Sequence, residues 1–313
     1  MPAHPLPAAR PVARPFLKWA GGKSQLLPGF QALYPPALLA GGIKTYCEPF
    51  LGSGAVFFDL IQHRQIETAY LCDINEELVL TYRVVQKDAA DLIDCLAGLE
   101  TQYLQLDGEK RKAFYYAQRA AFNEGRCSID FTRYSRKWLK RAAQLIFLNR
   151  TCFNGLYRVN AKGDFNTPAG DYAKPTICDA PNLLAAAAAL QQALIRHGDF
   201  REALSPIITK EAFIYFDPPY RPLSKTAAFT AYSRFSFGDA AQRELAAHYR
   251  QLHEGGSFLM LSNSDPRNTD PEDDFFDRLY EGFTIRRIPA RRMINADASK
   301  RGAINEIVIT NYR

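Results

Sequence analysis

The chain has 313 residues, 47% of them hydrophobic and 23% charged, enough for one large domain or two ordinary ones with a real core. No apolar run approaches the roughly 18–20 residues of a membrane span. The six cysteines stand more than twenty residues apart, and the five histidines are not placed beside them at ligand spacing, which argues against zinc and a dense disulfide framework and fits a reducing cytoplasm. The net charge of +6 is unevenly spread. Residues 109–174 hold 14 Lys and Arg against 5 Asp and Glu, leaving 25 against 28 elsewhere. A basic block in a slightly acidic chain points to a nucleic-acid surface, the alternative being a solvated helical face.

Residues 1–15 carry five prolines and two arginines without an apolar stretch, so a loose N-terminal arm is expected there rather than a signal peptide. Phe16 to Ser24 follows. Its Gly21-Gly22-Lys23-Ser24 resembles the end of a phosphate-binding loop, but Leu17 stands where that motif requires glycine. A glycine pair beside Trp19 and Lys23 equally lets backbone approach a small ligand. Thr45 to Pro49 reads as a strand, and Phe50-Leu51-Gly52-Ser53-Gly54-Ala55 as a glycine turn opening a helix. A second strand, Ala69 to Cys72, delivers Asp73, 21 residues after Gly52. Strand, glycine turn, helix, strand and acid in that order suit an adenosine-type cofactor whose ribose meets the acid, although a plain βαβ unit has the same outline.

Apolar residues at three- and four-residue spacing predict helices over Glu76–Glu100, Glu109–Asn123 and Arg133–Arg150. The third carries Arg136, Lys137, Lys140 and Arg141, expected to face DNA phosphates. Turn signals at Asn154-Gly155 and Lys162-Gly163-Asp164 mark a polar hairpin over 153–172, which either enters a DNA groove or forms a surface loop. Ala180–Gly198 reads as an Ala/Leu/Gln helix leading to Asp199 and Phe200.

Ala212 to Phe216 is too short for a helix and rich in β-formers, the signature of a buried strand. Asp217-Pro218-Pro219-Tyr220 stops it, since neither proline has an N–H to give. The Asp217 carboxylate and the Pro218 carbonyl offer adjacent acceptors for an amino group, and Tyr220 a face for a planar heterocycle. The alternative is a Pro-rich turn with an incidental acid. Beyond lie a helix from Asp239 to His253, a strand Ser257–Leu261 ending at Ser262-Asn263-Ser264, a surface loop over 266–278 and a strand Asn305–Tyr312. Arg286, Arg287, Arg291, Arg292, Lys300 and Arg301 form a second basic patch.

Taken together these stretches resemble the Dam-type DNA adenine-N6 methyltransferases (the D12 class, α arrangement), closest to members paired with restriction systems that read GATC. The motifs carrying the resemblance run from residue 16 to 312: Phe16–Ser24, Glu48–Gly54, Asp73-Ile74-Asn75, Phe153–Arg158, the Asp217 tetrapeptide and Leu261–Ser264. The resemblance implies an α/β fold: a Rossmann-like methyltransferase sheet over 16–75 and 176–313, with an inserted, mainly helical recognition domain over 76–175 carrying a β-hairpin. It implies S-adenosylmethionine as methyl donor, held by Trp19, Lys23, Gly52, Gly54, Asp73, Asp199, Phe200 and Asp217, with no metal. It places Asp217, Pro218 and Tyr220 at the chemistry, and Lys18, Arg150, Phe153, Asn154, Leu156, Arg158 and Pro168 against double-stranded DNA. A cognate restriction endonuclease would act separately. One departure concerns Asp171, which stands in Gly170-Asp171-Tyr172 where the family commonly has arginine; that bears on flanking-phosphate contacts. Alternative readings are a nicotinamide dehydrogenase, an amino-methyltransferase for cytosine N4 or protein glutamine, and a non-catalytic DNA-binding relative.

Overall fold

The computed structural model describes residues 12–204, 212–221, 237–291 and 303–313. Among the described residues seven strands form one sheet: β1 (Thr45–Glu48), β2 (Thr68–Asp73), β3 (Ala193–His197), β4 (Ala212–Phe216), β5 (Phe258–Ser264), β6 (Thr284–Arg291) and β7 (Ala303–Thr310). The helices are α1 (Leu27–Gln31), α2 (Pro36–Leu39), α3 (Ala55–His63), α4 (Glu76–Leu104), α5 (Gly108–Gly125), α6 (Arg136–Thr151), α7 (Ala180–Leu190), α8 (Phe200–Leu204), α9 (Asp239–Glu254) and α10 (Phe275–Leu279). The strand order is β3-β2-β1-β4-β5-β7-β6. All neighbours from β3 to β5 run parallel, while β7 lies antiparallel to both β5 and β6. The order reverses between β1 and β4, which makes their carboxyl ends the switch point where α/β sheets bind ligands.

Strand alternation explains how both faces are covered. On β4, Phe213 and Tyr215 join a core with Phe30, Tyr46 and Phe58, while Ala212, Ile214 and Phe216 join a second core with Leu245, Tyr249 and Phe276. No helix among the described residues is long and apolar enough to cross a membrane.

Helix α4 leads from β2 of the sheet to α5 and α6, which lie between β2 and β3 in the chain. Asn75 caps it by accepting from the Glu77 and Leu78 N–H groups. It breaks at Asp88, whose φ of −133° and ψ of 42° are not helical, and whose carboxylate accepts the Tyr134 phenol. Before the break, Arg83 and Gln86 bond carbonyls of Ile195 and Ala193 on β3. After it, Glu100 accepts from the Ile177 and Cys178 N–H groups beyond the insertion. The expected hairpin is reduced to two isolated antiparallel bridges, Cys152 to Ala169 and Val159 to Phe165. Its tip is a side-chain-driven turn in which Asn160 Oδ1 accepts from the N–H groups of Lys162 and Asp164.

Three expectations need correcting. The stretch 180–198 is not one helix, because α7 stops at Leu190 and Ala193–His197 becomes β3. Thr284–Arg291, not singled out as a strand, is β6. Ser262, Asn263 and Ser264 continue β5 rather than follow it. Residues 1–11 of the expected arm lie outside the described residues, while Arg14 is held by Asn182 and Asp179.

Candidate active site

Two turns meet at the switch point. After β1, Gly52 and Gly54 adopt left-handed backbone, φ 48° and 65°. A Cβ on Gly52 would stand 3.1 Å from the Trp19 ring and one on Gly54 2.8 Å from the Tyr82 hydroxyl, so both space and conformation demand glycine. The turn is pinned from β2, since Asp73 Oδ2 accepts the Gly52 N–H at 2.9 Å and Oδ1 the Asn75 N–H at 2.9 Å. Burial raises the Asp73 carboxyl above its ordinary value against the pull of these two bonds. Beside the turn, Phe50 stacks on Phe200 with ring centroids 5.4 Å apart. Asp199 next to it pairs with Arg201 at 2.7 Å. Under the turn, buried Glu48 accepts the Tyr46 phenol at 2.8 Å, and burial pushes its carboxyl well above the usual range.

After β4 the chain turns sharply at Asp217. Lys23, 3% exposed, sends its ammonium into this turn: 2.7 Å from Asp217 Oδ1, 2.9 Å from the Tyr220 phenol oxygen and 2.9 Å from the Gly21 carbonyl. Burial works against that cation, but Asp217, Tyr220 and Glu306 together hold its pKa above the ordinary lysine value. Burial pushes the Asp217 carboxyl up to about 6 despite Lys23. Ser262 of β5 donates to Asp217 Oδ1 at 3.4 Å and is itself 2.7 Å from the Tyr215 phenol. The Pro219 carbonyl is taken by buried Gln242. The Pro218 carbonyl and Asp217 Oδ2 have no donor among the described residues. Tyr220 donates to Glu306 of β7 at 2.6 Å. The result is a carboxylate oxygen and a carbonyl without donors beside a ring held at its hydroxyl end.

The expected DNA residues gather on the insertion side. Asn149, 1% exposed near the end of α6, accepts from the Lys18 N–H at 2.8 Å and donates to the carbonyls of Lys18 and Gly155 at 2.7 and 3.0 Å. The Trp19 ring stacks on Tyr157 at 5.3 Å, joining the glycine turn to the hairpin. Lys18 Nζ sits 4.6 Å over the Tyr172 ring, and Arg150 donates to the Phe16 carbonyl at 2.8 Å. Phe153 is 52% exposed, its N–H bonded to the Pro168 carbonyl, and Asn154 beside it holds a left-handed φ of 55°. Leu156 is half-buried, while Arg158 is exposed with its Nε 2.7 Å from Asn166 Oδ1. Asp171 is exposed.

Arg141 does not belong to the DNA surface. It is 3% exposed, with Nε 2.9 Å from Glu77 Oε2 and its guanidinium 3.6 Å over the Phe122 ring, whereas Arg136, Lys137 and Lys140 are exposed. Its place in the helical repeat, three residues after Trp138 and four before Leu145, was the available signal. The second basic patch also shrinks, because Arg287 is paired with Asp265 and Asp277 at 3.0 and 2.7 Å. Arg292, Lys300, Arg301 and the Arg291 side chain lie outside the described residues. Residues that sequence reasoning did not select are Asn149, Tyr157 and Glu306. Glu306 is 86 residues from Tyr220, on a strand buried from Glu306 to Thr310, and no local pattern signals it.

Known proteins place this geometry in context. The family model of the D12 class N6 adenine-specific DNA methyltransferases matches residues 19–294. A type II methyltransferase, M.MjaIII of Methanocaldococcus jannaschii, is 47% identical over 300 residues, covering 96% of this chain and 99% of that protein. The type II methyltransferase M1.LlaDCHI of Lactococcus lactis subsp. cremoris is 38% identical over 96% of this chain and 95% of its own length. A DNA adenine methylase of Haemophilus influenzae is 32% identical over 94% and 92%. With one carboxylate oxygen and a carbonyl that have no donor among the described residues at the switch point of a Rossmann-like sheet, and a match over nearly the whole chain, the protein belongs to the D12 class of N6 adenine-specific DNA methyltransferases.

Proposed function

We propose that this chain uses S-adenosylmethionine to methylate N6 of an adenine flipped out of duplex DNA, within the site GATC. The observation that carries the reading is the Lys23–Asp217–Tyr220 network at the carboxyl end of β4. Trp19 over Gly52, the Gly52–Gly54 cradle, Asp73 and the Phe50–Phe200 wall fit an adenosine carrying an amino-acid tail. Trp19, Gly52, Gly54, Asp73, Asp199, Phe200 and the Lys23–Asp217 pair would hold it. Bound there, S-adenosylmethionine supplies an electrophilic methyl group.

The protein's own contribution is placement and charge. Adenine N6 is out of reach inside the duplex, so the base has to leave the stack. Tyr220 offers it a ring fixed at its hydroxyl end. Lys23 occupies one oxygen of Asp217, which orients the other. That oxygen and the Pro218 carbonyl accept the two N6 hydrogens and favour a pyramidal nitrogen with its lone pair directed at the methyl. The N–C bond forms as the S–C bond breaks, and the surplus proton leaves N6 through Asp217 or water. Positioning and charge stabilisation suffice without a covalent enzyme intermediate.

Lys18, Arg150, Phe153, Asn154, Leu156, Arg158 and Pro168 form the DNA-facing rim in this reading, with residues 76–175 as the recognition domain and the remainder catalytic. GATC follows from the resemblance to Dam-type enzymes. The names of two relatives as type II methyltransferases support a separate endonuclease partner. The test is transfer of labelled methyl from S-adenosylmethionine to duplexes varied at each position of GATC. Methylation restricted to the adenine of GATC is the expected result. Preference for another adenine-containing site overturns the site assignment, and no transfer to adenine overturns the reading.

A further inference from the structure

Glu306 lies on β7, opposite Ser264 of β5 and Ile288 of β6, and beyond the residues 19–294 matched by the family. Its Oε1 accepts the Tyr220 phenol at 2.6 Å. Its Oε2 is buried without a hydrogen-bond partner among the described residues, 4.0 Å from Lys23 Nζ. Glutamine would accept from the phenol equally well, but its other terminus would turn a buried N–H donor toward the Lys23 ammonium, where the carboxylate oxygen presents the opposite charge. Keeping an acid here therefore calls for a use of its charge. With Lys23 and Asp217 it makes one cation and two carboxylates, an excess of negative charge beside the place where a nitrogen becomes cationic.

We propose that Glu306 is a positioning residue for methyl transfer, setting the orientation of the Tyr220 ring and the charge balance around Asp217. The proposal rests on the reading of Asp217 and Tyr220 as the methyl-transfer site. Tyr220 receives a hydrogen bond from Lys23 and gives one to Glu306, so its ring is held from two elements far apart in the chain. Asp217 is faced by Lys23, Tyr220 and Glu306, by Ser262 of β5 and Tyr215 of β4, and from β1 by Glu48. Of these, Glu306 and Lys23 pull in opposite directions: the carboxylate favours a proton on Asp217 and the ammonium disfavours it. Removing the Glu306 charge therefore lets Asp217 stay ionised to lower pH.

The experiment compares Glu306→Gln and Glu306→Ala, each with Tyr220 intact and with Tyr220→Phe, using S-adenosylmethionine and duplex DNA. Glu306→Gln keeps the phenol anchored, and the acid limb of its kcat–pH profile moves down by about 0.5–1 pH unit. Glu306→Ala lowers the kcat plateau about 10–100-fold with the KM for the methyl donor unchanged. The same alanine change costs far less in the Tyr220→Phe background, where the link is already cut. An acid limb unmoved by Glu306→Gln, or an equal cost of Glu306→Ala in both backgrounds, reduces Glu306 to a structural residue and overturns the proposal. If the alanine variant does not fold, the acid limb of the isosteric glutamine variant decides. Asp217→Ala separates the two levels. Near-normal turnover there overturns the underlying reading, whereas an inactive Asp217→Ala beside an unmoved Glu306→Gln limb overturns only the role of Glu306.

Discussion

The switch point and the hairpin side handle cations in opposite ways. Lys23 is buried and set against carboxylates, 2.7 Å from Asp217 and 4.0 Å from Glu306. Lys18, Arg150 and Arg158 are instead held by neutral partners: the Tyr172 ring, the Phe16 carbonyl and the Asn166 amide. An acid partner fixes a cation but cancels its charge. A neutral partner orients it and leaves the charge available to phosphate or guanine. The first arrangement suits groups whose field acts in place, the second groups that change partners, as the proposed DNA-facing role requires. Charge counting along the sequence cannot separate them, and Arg141, buried against Glu77 within the basic block, shows the error that results.

The largest effect should come from confusing the two kinds of cation. Arg141→Ala strips buried Glu77 of its hydrogen-bonded partner, leaving it only Arg126 at 3.8 Å, and should cost about 3–5 kcal/mol of stability in denaturant titration. Changing Arg136, Lys137 and Lys140 together to Gln should leave stability within experimental error. It should also reduce the salt slope of DNA binding, by about 0.9 for each phosphate no longer neutralised. An unchanged slope would make that face of α6 solvated surface.

At the switch point, Asp217→Ala should lower methyl transfer by about 10²–10³-fold with the fold retained by circular dichroism, since the proposed mechanism loses an acceptor aimed at developing charge. The wild-type pH profile sharpens the same point. Burial pushes Asp217 up to about 6, so the carboxylate is present above that pH and protonated below it. Turnover should therefore decline as pH falls through about 6. Single-turnover rates independent of pH across that range would separate Asp217 from the chemistry.

Arg158→Ala should cost about 1–3 kcal/mol of discrimination at one guanine while binding to random duplex changes little, read from methylation of single-position variants of GATC. Equal losses on every duplex would make Arg158 a positioning residue for Asn166 and the hairpin. The smallest effect is expected from Tyr172→Leu. Removing the ring under Lys18 should weaken all duplexes alike by about 0.5–1 kcal/mol. Sequence-dependent weakening would show that Lys18 reads a base rather than a phosphate.

The two strands that escaped sequence reading are the two edges of the sheet. Central β4 is buried throughout and consists only of Ala, Phe, Ile and Tyr, so it stands out. Edge β3 follows an alanine-rich helix and ends in exposed Arg196 and His197. Edge β6 carries Arg286, Arg287 and Pro289, residues that a strand tolerates where one side is unpaired. In the site, Asp73, Asp217 and the Gly52 turn were legible because each ends a readable strand at the switch point. Asn149 was not, since it lies among apolar residues on a helix and its partners, Lys18 and Gly155, are joined to it only by folding.

The position of β7 has a consequence for the order in which the molecule is made. Every other strand precedes it in the chain, yet it lies inside the sheet, between β5 and β6. During synthesis β6 therefore has no strand partner until residues 303–310 leave the ribosome, and β5 keeps an open edge. Glu306 arrives with the same segment, so the Tyr220 ring gains its second anchor in the step that closes the sheet. The glycine turn and helices α4, α5 and α6 all precede β7 in the chain. Completion of the sheet and the anchoring of Tyr220 by Glu306 are thus a single late event, and a chain cut before β7 loses both.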